Sequence, residues 1–459
     1  MCKRVTSIVV SLLAFSSFLI QPTYAQNGHV LSLEECLKIA NKNNSTLRNA
    51  IHQVDRAGAS VMGSYSSILP SINTSFQSGK FIQGARTTSL DVPVGFDSTT
   101  GQATFEQTEI TQPSASRNTN RASITYSQTL WDFGRSYNGI KQAKASFEAQ
   151  SYNLTSARQN VYALVKQRYL ELLKALKLEQ EYVEAVERSK EQLNRTQSMY
   201  EIGSVAQVDV YKSEVTLATD EINQINQTNI VDIAKGNLNV AMGRDPNTPI
   251  DIKDLDVKIN PPDFTLDNAV AIAQANNPDL RRFESDMKSA EYGMRFARGA
   301  YWPSLGFSLT YSRDNTAFSK VYGGLSKNWS VAFGAQLNLN LFNGLSDAAE
   351  VGRQSATYSM AKESWYEQKR NIALNVKQAY LNLQAFLKIS KINERNLRSA
   401  EEDFRLAQER YRVGAGTVLE VTDAQVALTR ARVVLVRTKY DAMIARAQLE
   451  AAMGTVSIE

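Results

Sequence analysis

The chain has 459 residues and a formal net charge of +5, with 43% apolar and 21% charged residues. Its Lys and Arg are not clustered, which excludes nucleic acid as an implied partner. Beyond the first residues no apolar run approaches the ~20 residues of a spanning helix; a helical membrane bundle is excluded, whereas a periplasmic protein or a β-barrel with strands hidden in alternating patterns is not.

Lys3 and Arg4, the apolar run from Val5 to Ile20 and the small-residue site Thr23-Tyr24-Ala25 make residues 1–25 a secretory signal peptide, with the mature chain starting at Gln26. Cys2 lies inside the signal. Cys36 is then alone, and no intramolecular disulfide is possible.

From Leu33 to about Ser66 the pattern predicts a helix, ended by Pro70, which cannot continue it. A strand is predicted over about 70–82, where Ile72, Thr74 and Phe76 share one face. Its partner covers about 121–131, with Ile124, Tyr126 and Leu130 alternating with Ser123, Thr125 and Ser127. Residues 82–120, rich in Thr, Ser, Gln and Gly, are expected to be a polar extracellular loop. A proline-free helix over about 134–202 follows, and at 1.5 Å per residue it extends roughly 100 Å. Gly203 ends it, as glycine past a helix end does, and a return helix runs over about 208–243.

The chain is then written again. SLEECLKIANKNNSTL (32–47) is answered by TLDNAVAIAQANNPDL (265–280), Leu69-Pro70-Ser71 by Trp302-Pro303-Ser304, and Leu130-Trp131-Asp132 by Leu341-Phe342-Asn343. VKQRYLELLKA (165–175) is answered by VKQAYLNLQAF (376–386), YEIGSVAQVDV (200–210) by YRVGAGTVLEV (411–421), and Ala241-Met242-Gly243 by Ala452-Met453-Gly454. The first repeat is 26–243, the second 265–459, and 244–264 is the linker. The second repeat carries a helix from Leu266 to about Tyr301 and strands at about 303–313 and 329–342. A short loop over 313–328, a long helix over about 345–413 and a return helix over about 419–453 complete it. Within this long helix Ile372, Val376, Ala379, Leu383 and Phe386 recur at the four-three spacing of a coiled-coil seam.

The strands reach the ~9–11 residues of a membrane-spanning strand. Their alternation fits a surface between lipid and water, and Trp302, Tyr311, Trp329 and Phe342 near their ends read as aromatic girdles. Four strands cannot close a barrel, and open edges are not tolerated in lipid. The chain must therefore oligomerise, and a trimer would supply twelve strands. Nothing supports catalysis. His29 and His52 have no metal-ligand spacing, and there is no phosphate-binding loop or nucleophile elbow.

Duplicated halves, strands opened by proline and the two tip segments YEIGSVAQVDV and YRVGAGTVLEV together resemble the TolC-family outer-membrane efflux channels, the outer membrane factors of tripartite efflux or type I secretion systems. The resemblance implies an α+β membrane protein in the cell outer membrane. In such a protein a trimeric twelve-stranded β-barrel continues into a twelve-helix periplasmic α-barrel, girdled by a collar to which 244–264 contribute. It implies a homotrimer that works with a periplasmic adaptor and an inner-membrane pump, without catalytic residues, cofactor or metal. By the same resemblance Glu420 and Asp423 form acidic rings at the pore's periplasmic entrance, where charged rings select ions, and Asp209 and Tyr411 belong to the bonds that hold the tips closed. The turns Gly203-Ser204-Val205 and Gly414-Ala415-Gly416 would dock the adaptor. Gly416 departs from the family's best-known example, which has arginine there; Arg410 or Arg412 stand nearby to replace its ionic link. The implied function is an exit duct for small toxic compounds. A type I protein secretion channel is the neighbouring alternative. A periplasmic coiled-coil adaptor or structural protein is the alternative of another class, without four alternating strands.

Overall fold

Ser32 opens the first described helix, α1 (Leu33–Asn43), through a reciprocal capping box. Its hydroxyl accepts from Glu35 N–H at 3.3 Å, and Glu35 Oε2 accepts the Ser32 N–H at 2.8 Å. The computed structural model describes residues 30–255, 261, 263–323 and 326–456. The expected signal peptide, and residues 256–260 and 262 of the linker, lie outside these.

The helix expected from Leu33 to Ser66 is broken at Asn44. This residue adopts φ −65°, ψ 125°, ends α1 and opens α2 (Ser45–Ser64). Its Oδ1 accepts from Thr46 N–H at 2.9 Å and Leu47 N–H at 3.4 Å, which replaces the helical bonding that the next turn would have used. The second repeat breaks identically. Asn277 separates α5 (Leu266–Asn276) from α6 (Pro278–Arg298), with Pro278 in the first turn, where its missing N–H costs nothing.

Both asparagines also reach the end of a return helix. These are α4 (Gln207–Ala241) and α9 (Val418–Ala452), which follow the long helices α3 (Arg135–Glu201) and α8 (Ser346–Arg412). Asn44 Nδ2 donates to Ala241 O at 2.9 Å, and Asn277 Nδ2 to Ala452 O at 3.4 Å. Gly243 and Gly454 then turn the chain at φ +74° and +70°. A Cβ on Gly243 would lie 2.7 Å from the Asn43 carbonyl, and one on Gly454 2.9 Å from Asn277 Cα, so close approach and a left-handed backbone both require glycine.

Four antiparallel strands form one sheet in the order β1-β4-β5-β6: β1 (Ser71–Gln83), β4 (Ala115–Trp131), β5 (Ser304–Asn315) and β6 (Trp329–Asn338). In-register rows put Ile72, Tyr126, Leu309 and Phe333 on one face, with Thr74, Ile124, Tyr311 and Val331 in the next row. The other face is hydroxyl-rich: Ser75 pairs with Ser123 at 2.8 Å, Thr125 with Thr310 at 3.2 Å and Ser312 with Ser330 at 2.8 Å. Trp302 stacks on Phe133 at 5.3 Å below the sheet, and Trp329 stands opposite Arg313 at its outer end. Tyr311, expected in a girdle, lies one row inside Trp329.

Three further expectations are corrected. The segment 82–120 is not a loop. It holds β2 (Arg86–Phe96) and β3 (Ala103–Gln112), and β4 begins at Ala115 rather than near 121. The register that sets Gln83 opposite Ala115 also sets Arg86 opposite Gln112, so one long hairpin runs on and is interrupted where Pro113 has no N–H to give. The 313–328 loop contains a short helix, α7 (Phe318–Tyr322). Finally, β6 ends at Asn338, not 342. Its last partner is Ser304, and Pro303 beyond cannot extend the ladder.

Strand passes to helix in each repeat through two successive left-handed residues, Phe133-Gly134 and Gly344-Leu345. Asp132 Oδ2 accepts the Ser136 N–H at 2.7 Å, and Asn343 Oδ1 the Asp347 N–H at 3.4 Å, which explains the repeated acidic or amide residue. The helices lie in one layer. Near the sheet α2, α3, α6 and α8 lie side by side; towards the far end the order is α4, α3, α9, α8. Halfway along, α1 and the linker pack on α3. Leu31 pairs with Ile252, and the Tyr169 hydroxyl donates to Lys253 O at 2.5 Å. Burial pushes the Tyr169 phenol and the Cys36 thiol up to about 12, so neither ionises in use.

The glycine pair separates two costs. Gly203 shares φ +74° with Gly243 but has open space around it. Gly203→Ala should cost about 1 kcal/mol for its left-handed backbone, and Gly243→Ala about 2–4 kcal/mol once the clash is added. Thermal unfolding of the two variants measures the difference; equal losses would contradict the close approach.

Candidate functional site: the helix tips

α3 ends in a Schellman motif. Gly203 N–H donates to Tyr200 O at 2.9 Å and Ser204 N–H to Met199 O at 2.8 Å, which satisfies two end carbonyls. α8 ends the same way, with Gly414 N–H to Tyr411 O at 3.1 Å and Ala415 N–H to Arg410 O at 2.8 Å. The chain reverses and α4 starts at Gln207, α9 at Val418. Thr417 caps α9, its hydroxyl accepting from Glu420 N–H at 3.2 Å.

The tips are joined by a small core of Ala407, Tyr411, Val418, Val421 and Ala424, with Met199, Val205 and Phe404 against it. The Tyr411 hydroxyl donates to Met199 Sδ at 2.7 Å, which ties α8 to α3. Burial holds the Tyr411 phenol above its ordinary value, the Asp209 carboxylate adds to this, and Arg195 opposes it. The Tyr411 proton is engaged by Met199. Asp209 lies 4.0 Å from Lys212 Nζ.

Glu420 and Asp423 are both exposed, one turn apart on α9, away from the buried Val418, Val421 and Gln425. Only Glu420 is in the first turn, where a helix N-terminus favours an acid. Arg410 Nη2 donates to Ala415 O at 3.2 Å and stands 3.7 Å from Glu420 Oε2. Arg412 instead pairs with Glu409 at 2.7 Å. Of the two arginines near the glycine departure, Arg410 bridges the turn. The pair is exposed and contributes about 0–1 kcal/mol. Gly416 itself lies where a Cβ would press within 3.1 Å of Tyr411 N and 3.2 Å of Arg410 Cβ, so a side chain there must displace Arg410.

Above the tips the helix seams turn polar, a feature the sequence pattern did not reveal. Ser189 Oγ donates to Asp220 Oδ2 at 2.5 Å and accepts from Gln425 Nε2 at 2.8 Å. Further along, Arg432 of α9 meets Glu184 of α3 at 3.0 Å and stands 3.9 Å from both Glu181 and Glu401 of α8. Arg188 joins from α3 at 3.5 Å to Glu184. Burial, then the neighbouring Glu184, raises Glu181 above the usual carboxylate range. Burial, then Arg432, lowers the Arg188 guanidinium. The available signal was Arg432 itself, a charge on a helix with Leu428, Leu435 and Val436 beside it at coiled-coil spacing.

The chain thus combines a long helical layer with reversed tips and a small sheet with one apolar and one hydroxyl face. Residues 36–244 and 269–455 match the outer membrane efflux protein family. The chain belongs to that family. Nodulation protein T of Rhizobium leguminosarum bv. trifolii is 24% identical over 423 residues, covering 90% of this chain and 83% of that one. The outer membrane protein TolC of Salmonella enteritidis is 22% identical over 350 residues, covering 74% and 70%. Among solved structures, the outer membrane protein VceC of Vibrio cholerae superposes with a TM-score of 0.75 at 16% identity, covering 92% of this chain and 96% of that one, a likeness of fold. The resemblance stated from the sequence is therefore met, and the chain is an efflux protein of the outer membrane with its helices in the periplasm.

Arg432→Ala should take from Glu181 and Glu184 the cation that α9 supplies and leave them Arg188 of their own helix. With these groups partly exposed, the expected loss is about 1–2 kcal/mol at neutral pH. Glu181, already raised in the folded state, rises further, so the folded variant holds its proton more tightly than the unfolded chain. Its deficit should shrink as pH falls through that raised value. Melting temperatures of wild type and variant across pH test this; a gap that widens towards acid would contradict it.

Proposed function

We propose that three copies of the chain close into one duct through the outer membrane, and that small toxic compounds leave the cell through it. The observation that supports this most is the open edge on each side of the layer. β1 and β6 each have one neighbour in the sheet, and a strand edge in hydrocarbon must be paired. Below them α4 exposes Val208, Tyr211, Val215 and Ile222, and α8 exposes Leu374, Leu381 and Ile392. One edge pairing with the other edge of the next copy gives a twelve-stranded barrel above a twelve-helix tube. Each copy then supplies two repeats, 26–243 and 265–459, with 244–264 in an equatorial collar.

In this assembly the apolar face of the sheet meets lipid and the hydroxyl face lines water. Glu420 and Asp423, one turn apart on α9, become two stacked rings of three carboxylates at the periplasmic entrance. Such rings favour cations. Tyr411, Met199 and Asp209 hold the tip helices together behind them. The turns Gly203-Ser204-Val205 and Gly414-Ala415-Gly416 expose Gly203, Ser204, Gly414 and Ala415, small residues that can take a helical hairpin of a periplasmic adaptor, which joins the duct to an inner-membrane pump. Energy comes from the pump.

Single-channel recording of the purified mature protein in a planar bilayer tests the reading. Discrete openings that prefer cations are expected. Glu420→Ala with Asp423→Ala should remove most of that preference, and Asp209→Ala with Tyr411→Phe should raise the resting conductance. Openings whose selectivity ignores the double acid variant would remove these residues from the gate, and trimers without any openings would remove the channel.

A further inference from the structure

The apolar face of the sheet is broken at its outer end by two polar residues. Asn120 and Arg313 stand on the same face as Ile124, Tyr126 and Leu309, yet each is only 5% exposed. The cover is α7 and the chain beside it. Asn120 Nδ2 donates to Asn315 O at 3.2 Å and Thr316 O at 3.1 Å, while Arg313 Nη2 donates to Gly323 O at 3.2 Å and Lys327 O at 3.0 Å. Val321 is buried to 1%, and the rings of Phe318 and Tyr322 close on Phe76 at 5.3 and 6.0 Å. Phe76 belongs to the face of Ile72 and Thr74, so α7 lies on the apolar side of the sheet and not over its hydroxyl side.

The position matters as much as the side. From Leu305 to Arg313 the apolar rows span roughly 26 Å along the strand, close to the ~25 Å apolar band of an outer-membrane barrel. α7 sits where that band ends, in the row of Trp329. Phe318, Tyr322 and Trp329 are each more than half exposed, and Lys320 and Lys327 are exposed beside them. Aromatic rings next to lysines are the composition that settles between hydrocarbon and headgroups, the ring in the boundary and the ammonium in the polar layer.

We infer that α7 is a lipid-seated foot on the outside of the sheet. Phe318 and Tyr322 enter the boundary between acyl chains and headgroups of the outer leaflet, and Lys320 and Lys327 meet the phosphates of anionic headgroups there. The occupant is lipid because the surface continues the face that meets the bilayer, and the inference rests on that reading of the sheet.

The test uses assembled protein in vesicles of phosphatidylglycerol or phosphatidylcholine whose acyl chains carry bromine near the carbonyl or deep in the tail. Phe318→Trp, with Tyr322→Trp as a second reporter should the first fail to assemble, is compared with Phe333→Trp from the middle of the apolar face. Quenching in excess of wild type is read. The Phe318→Trp signal should be quenched most by shallow bromine, and the Phe333→Trp signal by deep bromine. Lys320→Glu with Lys327→Glu should lower the shallow quenching in phosphatidylglycerol and leave it unchanged in phosphatidylcholine. A Phe318→Trp reporter quenched only by aqueous acrylamide, with Phe333→Trp still quenched by lipid, would overturn the foot alone. Neither reporter quenched by lipid would overturn the membrane face of the sheet as well.

Discussion

A backbone N–H or C=O left open in hydrocarbon costs several kcal/mol, and this chain carries a four-stranded sheet with two open edges into the outer membrane. Most other features follow from that constraint. In the proposed assembly the sheet is completed by copies of itself and the helices below it present two edges as well, which α4 and α8 supply with exposed apolar side chains. Apart from the β2–β3 hairpin of the first and α7 of the second, the two repeats share one element order, and each delivers one strand pair to the sheet and one long helix pair to the layer. The hub that fixes each repeat is equally duplicated: an asparagine bonded to the end of a return helix, and a glycine packed against the backbone beside that asparagine.

The helical part solves a different problem. Helices of 67 residues cannot be held by propensity alone, and packing along one seam must set their register. Apolar contacts do this halfway along, where Tyr169, Leu172, Leu238 and Met242 are buried. Nearer the tips the seam is polar and ionic, with Ser189, Gln425 and Asp220 in one layer and Arg432 with three glutamates in another. Such contacts add little stability but are directional, so they penalise a slip of one helix against its neighbour. The apolar core at the tips is small, Tyr411 with a few valines and alanines, and a small core has little burial to lose if the tips are to part.

The repeat was legible because its markers are positions with strict backbone demands. Pro70 and Pro303 open strands, Gly203 and Gly414 end helices through a left-handed residue, and Asp132 and Asn343 cap the strand-to-helix turn. What was misread lacks such markers. Asn44 and Asn277 stop a helix through a side-chain bond to following N–H groups, a choice decided by the return helix they also contact. The β2–β3 hairpin was hidden by a polar, glycine-bearing composition, although its register is that of the strands below it. Arg432 and its glutamates are ordinary helix charges in sequence, and only the packing of α3, α8 and α9 brings them together. Glu420, Asp423, Asp209 and Tyr411 were singled out through resemblance. The structure adds Met199 and Arg410 to them, partners that no spacing along the chain announces.

The central claim is that one edge of this layer is completed by the opposite edge of another copy until the wall closes. The mass of the purified mature protein in detergent, from light scattering with the detergent contribution subtracted, tests it most directly. The account predicts three chains per particle, with no smaller species that retains folded strands. A stable, folded single chain would contradict it, since the strand edges β1 and β6 would then have to be satisfied within one copy.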